Sequence, residues 1–220
     1  MSKKSYKLIY FRARGRAEFI RLVFLIAGVE FEDHLVDFQQ NWPSLKASGI
    51  VPFGQLPLLE ITDDSSPKPI LLCQSVAIMR YLAIEFGLAP ESNLEKALVD
   101  MVVDAVMHIR AKIRKCRFTT DATLKEKLLK EFQGALPNDL KNLEKILQAN
   151  SGGKGYFVGK ELSYADISFF DFMNSWVAKD KINGYPTELE DFPLLRGLYE
   201  RVRDIPAVKQ RLETRPDTAL

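Results

Sequence analysis

The chain has 220 residues, of which 46% are hydrophobic and 27% are charged. These values are close to globular averages, so they exclude a disordered chain, a collagen-like repeat and a coiled-coil rod, and the length suits two modest domains. The 31 basic residues nearly cancel the 29 acidic ones, so we expect no nucleic-acid partner.

No apolar stretch approaches the roughly 20 residues that a membrane-spanning helix needs, and residues 1–4 lead into a polar-apolar alternation instead of a signal-peptide core. We therefore expect a cytoplasmic protein without a membrane partner. Cys73 and Cys116 lie far apart with no C-x-x-C motif, which predicts buried thiols and no metal site.

The first 87 residues predict a β-α-β unit followed by a β-β-α unit. Short runs rich in branched and aromatic residues indicate strands, and apolar residues every three or four positions indicate helices. The predicted elements are a strand at 6–11, a helix at 16–27, a strand at 32–36, a loop through 42–54, strands at 56–61 and 70–73 around a turn at 63–69, and a helix from 75 to 87.

Gly, Pro and Ser cluster between residues 87 and 93, where we place the domain boundary. Ser92 and Glu95 form the S-x-x-E pattern of a capping box, which predicts the start of a long helix. The apolar row expected to form its buried face is Leu94, Leu98, Met101, Ala105, Ile109 and Ile113.

The remainder of the chain predicts further helices and no strand. A second long helix is expected at 123–149, with Pro137 kinking or breaking it. Ser163 and Asp166 form a capping-box variant before another helix, and Pro206 suits the first position of a last one.

This order of elements, and several segments, resemble cytosolic glutathione transferases of the sigma class. The segments are YKLIYFRARGRAEFIRLVFLIAGVEFED at 6–33, PFGQLPLLE at 52–60 and QSVAIMRYLA at 74–83. The resemblance implies an α/β thioredoxin-like glutathione-binding domain at 1–86 and an all-α helical bundle at 92–220 that carries the electrophile pocket. It also implies a homodimer that needs no metal and joins its co-substrate glutathione to small hydrophobic electrophiles. Glutathione-dependent isomerisation of prostaglandin H is a further activity that the resemblance leaves open.

Tyr10 is the predicted catalytic residue. It ends the first strand, where its hydroxyl would lie in the crevice in which open α/β sheets bind ligands. The resemblance implies that it donates a hydrogen bond to the glutathione sulfur. Lowering a thiol pKa from about 8.5 by roughly two units takes about 2.7 kcal/mol of differential stabilisation. By resemblance Arg16 assists thiolate formation or substrate orientation. The alternatives are that Tyr10 is only a half-buried strand tyrosine and that Arg16 is only a solvated arginine at a helix end.

The resemblance also assigns the other contacts to glutathione. Pro57, with a cis bond from Leu56, would present backbone groups to the tripeptide, and Gln74 and Ser75 would hold its γ-glutamyl carboxylate at a helix start. The alternatives are a trans proline at a sheet edge and Ser75 as a plain N-cap. The remaining predicted contacts are Trp42 and Lys46 at the glycyl end, with Gly54 and Gln55.

One position departs from the family pattern. Where relatives often carry an acidic residue that reaches glutathione across a dimer, this chain has His108, so Asp104 one turn earlier is the replacement candidate. Asp100, Asp104 and His108 share a helix face, which is either a weak metal site or, as we prefer, a solvated or interface face. The residues expected around the electrophile are Phe11, Ala13, Gly15, Arg110 and Phe169.

Two other functions remain to be weighed. A non-catalytic relative, such as a lens crystallin or a carrier of hydrophobic ligands, would use the same dimeric fold. A dithiol oxidoreductase is disfavoured because no cysteine lies near Arg14.

Overall fold

The computed structural model describes residues 4–64, 66, 68–178, 186–216 and 218. They belong to two compact units, Met1–Gly87 with Thr214–Leu220, and Leu88–Glu213. The sequence prediction assigned all residues from 92 to 220 to the helical domain. The chain end instead groups with the first unit, where Arg215 pairs with Glu18.

The first unit contains a mixed four-stranded sheet in the order β2-β1-β3-β4. β1 runs parallel to β2 and antiparallel to β3, and β4 is antiparallel to β3. This is the predicted α/β arrangement. The element bounds are β1 Lys4–Phe11, α1 Glu18–Ile26, β2 Glu32–Val36, α2 Trp42–Ala47, β3 Leu58–Asp63, β4 Ile70–Cys73 and α3 Ser75–Glu85.

A short helix, α2, occupies a segment that we expected to be a loop. Its six residues are too few to show a helical period in the sequence, and Pro43 near its start is as typical of a turn as of a first helical turn. Proline is tolerated in a first helical turn because its missing N–H has no helical partner there. Of the predicted turn at 63–69, positions 65 and 67 lie outside the described residues.

The second unit is helical in its described residues, as predicted. The bounds are α4 Asn93–Phe118, α5 Ala122–Ala149, α6 Tyr164–Phe172, α7 Pro193–Arg203 and α8 Pro206–Thr214, with a π-helical turn at Met173–Val177. Of the kink or break that we predicted at Pro137, the break does not occur, because α5 is continuous through it. In the described part of the chain, no helix is both long enough and apolar enough to cross a membrane.

The buried face of α4 differs from the predicted one. Leu94, Leu98 and Met101 are exposed, and the buried apolar residues of the helix include Val99, Val102, Val103, Val106, Ile109 and Ile113. The predicted row placed Leu98 and Met101 inward where Val99, Val102 and Val103 are buried. The prediction was therefore right only for the last two members of its row.

Two helices start where their sequences predicted. The Ser92 hydroxyl accepts a hydrogen bond from the Glu95 main-chain N–H at 3.1 Å and donates to the Glu95 carboxylate at 2.9 Å. At α6 the capping box is reciprocal, since Asp166 accepts from the Ser163 main-chain N–H at 2.8 Å. Both caps satisfy N–H groups that a first helical turn leaves unpaired.

Candidate active site

Several of the predicted site residues meet at one end of the sheet. Ile9 in β1 pairs with Leu58 in β3, and Leu58 pairs with Cys73 in β4. Because β3 is antiparallel to both neighbours, its beginning lies beside the carboxyl ends of β1 and β4. Tyr10 directly follows Ile9, and the Leu56–Pro57 bond directly precedes Leu58. Gln74 and Ser75 directly follow Cys73.

Tyr10 is held from two sides. It is 8% exposed, and its ring lies 5.4 Å from that of Phe11 between centroids. Its hydroxyl oxygen accepts a hydrogen bond from the main-chain N–H of Arg16 at 3.0 Å. An oxygen that accepts there must direct its own proton elsewhere, so the phenol keeps a donor for another acceptor.

The turn at residues 12–17 brings Arg16 to Tyr10 because of Gly15. Gly15 has a φ of 43°, and a Cβ atom there would lie 3.0 Å from Tyr10 Cε1 and closer still to the hydroxyl oxygen. Glycine alone permits both this backbone conformation and this approach. The Arg16 side chain itself is half-buried, and Ala13 is half-buried in the same turn.

Aromatic residues continue the site toward β2 and α2. Phe11 lies 5.4 Å from both Phe38 and Trp42 between ring centroids, edge-on to the indole. Lys46 is exposed, and a Cβ atom on Gly54 would lie 3.6 Å from its Cε atom. Trp42 and Lys46, which we predicted at the glycyl end, and Gly54, a further predicted contact to glutathione, thus follow one another around this edge.

The Leu56–Pro57 peptide bond is cis, as the resemblance implied. It immediately precedes β3, with both side chains buried and the neighbouring Gln55 exposed. The main-chain groups of Leu56 lie just before β3, an inner strand of the sheet, in a position suited to pairing with an extended ligand.

Gln74 has an unusual backbone conformation, with φ 72° and ψ 111°. Residues other than glycine pay of order 1–3 kcal/mol for such conformations, and those that persist cluster at ligand sites. Gln74 is the N-cap of α3 and Ser75 is its first helical residue, which corrects the alternative that Ser75 is the cap. The N–H groups at this helix start, with the positive end of its dipole, suit a carboxylate.

The predicted residues of the helical unit have other surroundings. Arg110 is buried and donates to Asp171 at 3.0 Å, with its guanidinium 5.0 Å from the centre of the Trp176 ring. Phe169 is 0% exposed and packs edge-on against Phe157 at 5.6 Å. Their roles at an electrophile remain predictions, which this burial weighs against.

Asp104 and His108 are exposed on α4, whereas Asp100 accepts a hydrogen bond from the Tyr164 hydroxyl at 2.7 Å. Within the described ranges, no group of three or more His, Cys, Asp or Glu side chains is arranged to hold a metal.

Cys73 and Cys116 are buried free thiols as predicted, and burial raises the pKa of each. A raised pKa disfavours the thiolate that dithiol chemistry requires.

The sequence reading did not identify Glu18 and Arg21 as part of the site. Both are buried in α1, directly after the turn, and Arg21 donates to the Ala13 carbonyl at 3.0 Å. The available signal was a pair of opposite charges three residues apart within the otherwise apolar run of that helix.

A family model for the glutathione S-transferase N-terminal domain matches residues 6–84, and one for the C-terminal domain matches residues 107–215. Glutathione S-transferase 1 of Ascaris suum is 40% identical over 218 residues, covering 97% of this chain and 98% of that protein. Hematopoietic prostaglandin D synthase of Gallus gallus is 36% identical over 217 residues, covering 98% and 99%.

One similar solved structure is described as monomeric, a glutathione S-transferase (Na-GST-3) from the hookworm Necator americanus. It is 35% identical with a TM-score of 0.82, and the match covers 98% of this chain and 100% of that one.

Proposed function

The chain belongs to the glutathione S-transferase family, and from that premise we propose that its Tyr10 hydroxyl stabilises the thiolate form of glutathione by donating a hydrogen bond to the sulfur. As a glutathione transferase, it joins glutathione to small hydrophobic electrophiles. The observation that carries the proposal for Tyr10 is the hydrogen bond from the Arg16 main-chain N–H to its hydroxyl oxygen. That bond leaves the phenol proton available to a ligand at the sheet end.

The chemistry has three parts. The Tyr10 hydroxyl donates a hydrogen bond to the sulfur, which favours thiolate over thiol. The Arg16 N–H polarises the phenol oxygen and so makes the hydroxyl a better donor. The positive charge of Arg16 adds to the same effect. The thiol proton leaves to water, and the thiolate attacks the electrophile, because only the ionised sulfur is an effective nucleophile. With an aryl chloride the new C–S bond forms as the C–Cl bond breaks and chloride leaves.

We place the rest of the tripeptide along the same sheet end. Its cysteinyl backbone pairs with the main chain of Leu56 before the cis Pro57, and Gln55 lies beside it. Its γ-glutamyl carboxylate lies against Gln74 and Ser75 at the start of α3. Its glycyl carboxylate faces Lys46, with Trp42 and Gly54 nearby. Phe11, Ala13 and Gly15 offer surface next to the sulfur, where an electrophile would have to approach.

The test compares wild type with Tyr10→Phe on an aryl chloride and glutathione. Phenylalanine keeps the ring and removes the hydroxyl, which is both the donor to the sulfur and the acceptor of the Arg16 N–H, so we expect kcat/KM to fall about 10- to 100-fold. Equal rates would contradict the role of Tyr10. Absence of turnover in both proteins would favour the non-catalytic carrier or crystallin-like alternative.

Isomerisation of prostaglandin H is a second candidate activity. It is favoured by the 36% identity to a prostaglandin D synthase across nearly the whole chain. Product analysis after incubating prostaglandin H with the protein and glutathione would decide it, with the Tyr10→Phe variant as the control.

We also propose that the protein is a cytoplasmic homodimer. Each unit exposes large apolar side chains that a second copy would cover, among them Phe53 in the first unit and Leu94, Leu98 and Met101 on α4. Asp104 lies exposed on that helix and is our candidate for the contact to a partner's glutathione. Because one similar protein is described as monomeric, the question needs a direct measurement. Sedimentation of a 25.1 kDa species at micromolar concentration would refute the dimer.

A further inference from the structure

A buried cluster of charged side chains lies directly behind the turn that carries Arg16. Arg14, Glu18 and Arg21 are 3%, 0% and 2% exposed. Charged groups removed from water are retained only when they are paired and hydrogen-bonded, and removing one partner is costly. The partners of these three residues therefore determine how firmly the turn is held.

Arg21 connects the turn to its surroundings. Its Nη1 atom donates to the Ala13 carbonyl at 3.0 Å and to Glu18 Oε2 at 3.2 Å, and its Nε atom donates to Asp33 Oδ2 at 2.9 Å. One guanidinium thus links the turn, α1 and β2. A shift of Arg21 would strain or break its hydrogen bond to the Ala13 carbonyl, which lies three residues before the Arg16 N–H.

The end of the chain completes this cluster. Arg215 Nη1 lies 3.3 Å from Glu18 Oε1, so each carboxylate oxygen of Glu18 faces a different arginine. Arg14 Nη2 donates to the main-chain oxygen of Thr218. The C-terminal segment therefore supplies one guanidinium and one carbonyl to buried groups of the turn, although the two lie some 200 residues apart in sequence.

We propose that Arg215 is a positioning residue for thiol activation. By sharing Glu18 with Arg21, it keeps Arg21 on the Ala13 carbonyl and so keeps the Arg16 N–H on the Tyr10 oxygen. This rests on the proposed function of Tyr10. Without Arg215, a fully buried carboxylate loses one of its arginine partners, and Glu18 and Arg21 rearrange to compensate.

Such a rearrangement reaches the chemistry through geometry. Stabilisation by a fixed donor depends on where the donor lies, and a misplacement of about 1 Å can cost about a hundredfold in rate. The charged groups on and behind the turn are Arg12, Arg14, Arg16, Glu18, Arg21, Asp33 and Arg215. Removal of Arg215 also takes a positive charge from this set, which disfavours a thiolate nearby.

The test measures the pKa of the thiol of bound glutathione from the ultraviolet absorbance of its thiolate, together with kcat/KM across pH. The variants are Arg215→Gln and Arg215→Lys, with Lys209→Gln as a matched control that removes an exposed cation from α8. We expect Arg215→Gln to raise the bound thiol pKa by about half to one unit. We expect kcat/KM to fall about three- to tenfold near neutral pH, and less at alkaline pH where thiolate forms unaided.

Arg215→Lys, which keeps the charge, is expected to recover part of the loss, and Lys209→Gln to match wild type. A folded Arg215→Gln variant whose bound thiol has the wild-type pKa overturns the inference. If Arg215→Gln does not fold, the double variant Glu18→Gln with Arg215→Gln takes its place, because it leaves no buried carboxylate without its cation. A wild-type thiol pKa in that variant overturns the inference equally.

The two hypotheses fail differently. A wild-type protein that does not lower the pKa of bound glutathione removes the proposed function, and this inference with it. A wild type that lowers it, with Arg215→Gln indistinguishable from wild type, removes only the role of Arg215.

Discussion

The main-chain N–H of Arg16 donates a hydrogen bond to the hydroxyl oxygen of Tyr10 at 3.0 Å, across a turn of six residues. A backbone donor cannot be removed by changing a side chain, so this contact depends on the shape of the turn. Gly15 sets that shape, since its left-handed backbone and missing side chain let the phenol approach.

We expect Gly15→Ala to displace Tyr10 and reduce kcat/KM about tenfold or more. The new Cβ atom would overlap the phenol, and the positive φ adds a backbone cost of about 1–2 kcal/mol. Gly28→Ala is the matched control, because Gly28 has φ 66° and no atom within 4 Å of an added Cβ. It should lower thermal stability without a comparable loss of activity. Similar kcat/KM values for the two variants would contradict the role assigned to Gly15.

Gln74 offers a test of stored backbone strain. We expect Gln74→Gly to raise the free energy of unfolding by up to about 1 kcal/mol, because glycine adopts positive φ without steric cost. The lost side chain should raise the KM for glutathione severalfold. Ser151→Gly, at φ 52° in the helical unit, should stabilise without changing KM. An unchanged KM in Gln74→Gly would exclude a side-chain contact with the tripeptide.

Much of the sheet end was predictable because its signals are local. Strand periodicity placed Tyr10 at the end of β1, and the segment around Pro57 and the start of α3 were recognised from their motifs. The burial of α4 was not, because the choice between Leu98 and Val99 as the inward residue depends on what packs against the helix and not on the helix sequence. The pairing of Glu18 with Arg215 joins residues 197 apart, and no local pattern reports it.

Lys46 is expected to act on binding more than on catalysis. Its partner in the proposed site is the glycyl carboxylate, which lies far from the reacting sulfur, so Lys46→Gln should raise the KM for glutathione about two- to fivefold with little change in kcat. The control is a glutathione monoester that lacks this carboxylate. Wild type should lose affinity for the ester, and Lys46→Gln should show no further loss. A full additional loss would place Lys46 elsewhere on the tripeptide.

The stability of the helical unit should carry a pH signature from Asp166. Its carboxylate is fully buried, and desolvation raises its pKa from 3.8 to about 6, against hydrogen bonds from Phe157 and Ser163 that favour the ionised form. Between those two pH values the folded state binds the proton more tightly than the unfolded state. The contribution of Asp166 to the free energy of unfolding therefore falls as pH rises from about 4 to 6, by on the order of 2–3 kcal/mol, and stays low above that.

Urea unfolding of wild type and Asp166→Asn between pH 4.5 and 7.5 measures this directly. Asparagine cannot titrate and places an amide against N–H donors, so it should be less stable throughout, with a gap to wild type that narrows as pH rises. Asp204→Asn is the control, because Arg203 lowers the pKa of Asp204 and its gap should stay flat in this range. A gap for Asp166→Asn that is flat or widens with pH would mean that the hydrogen bonds of the capping box outweigh desolvation, leaving the carboxylate ionised at every pH tested.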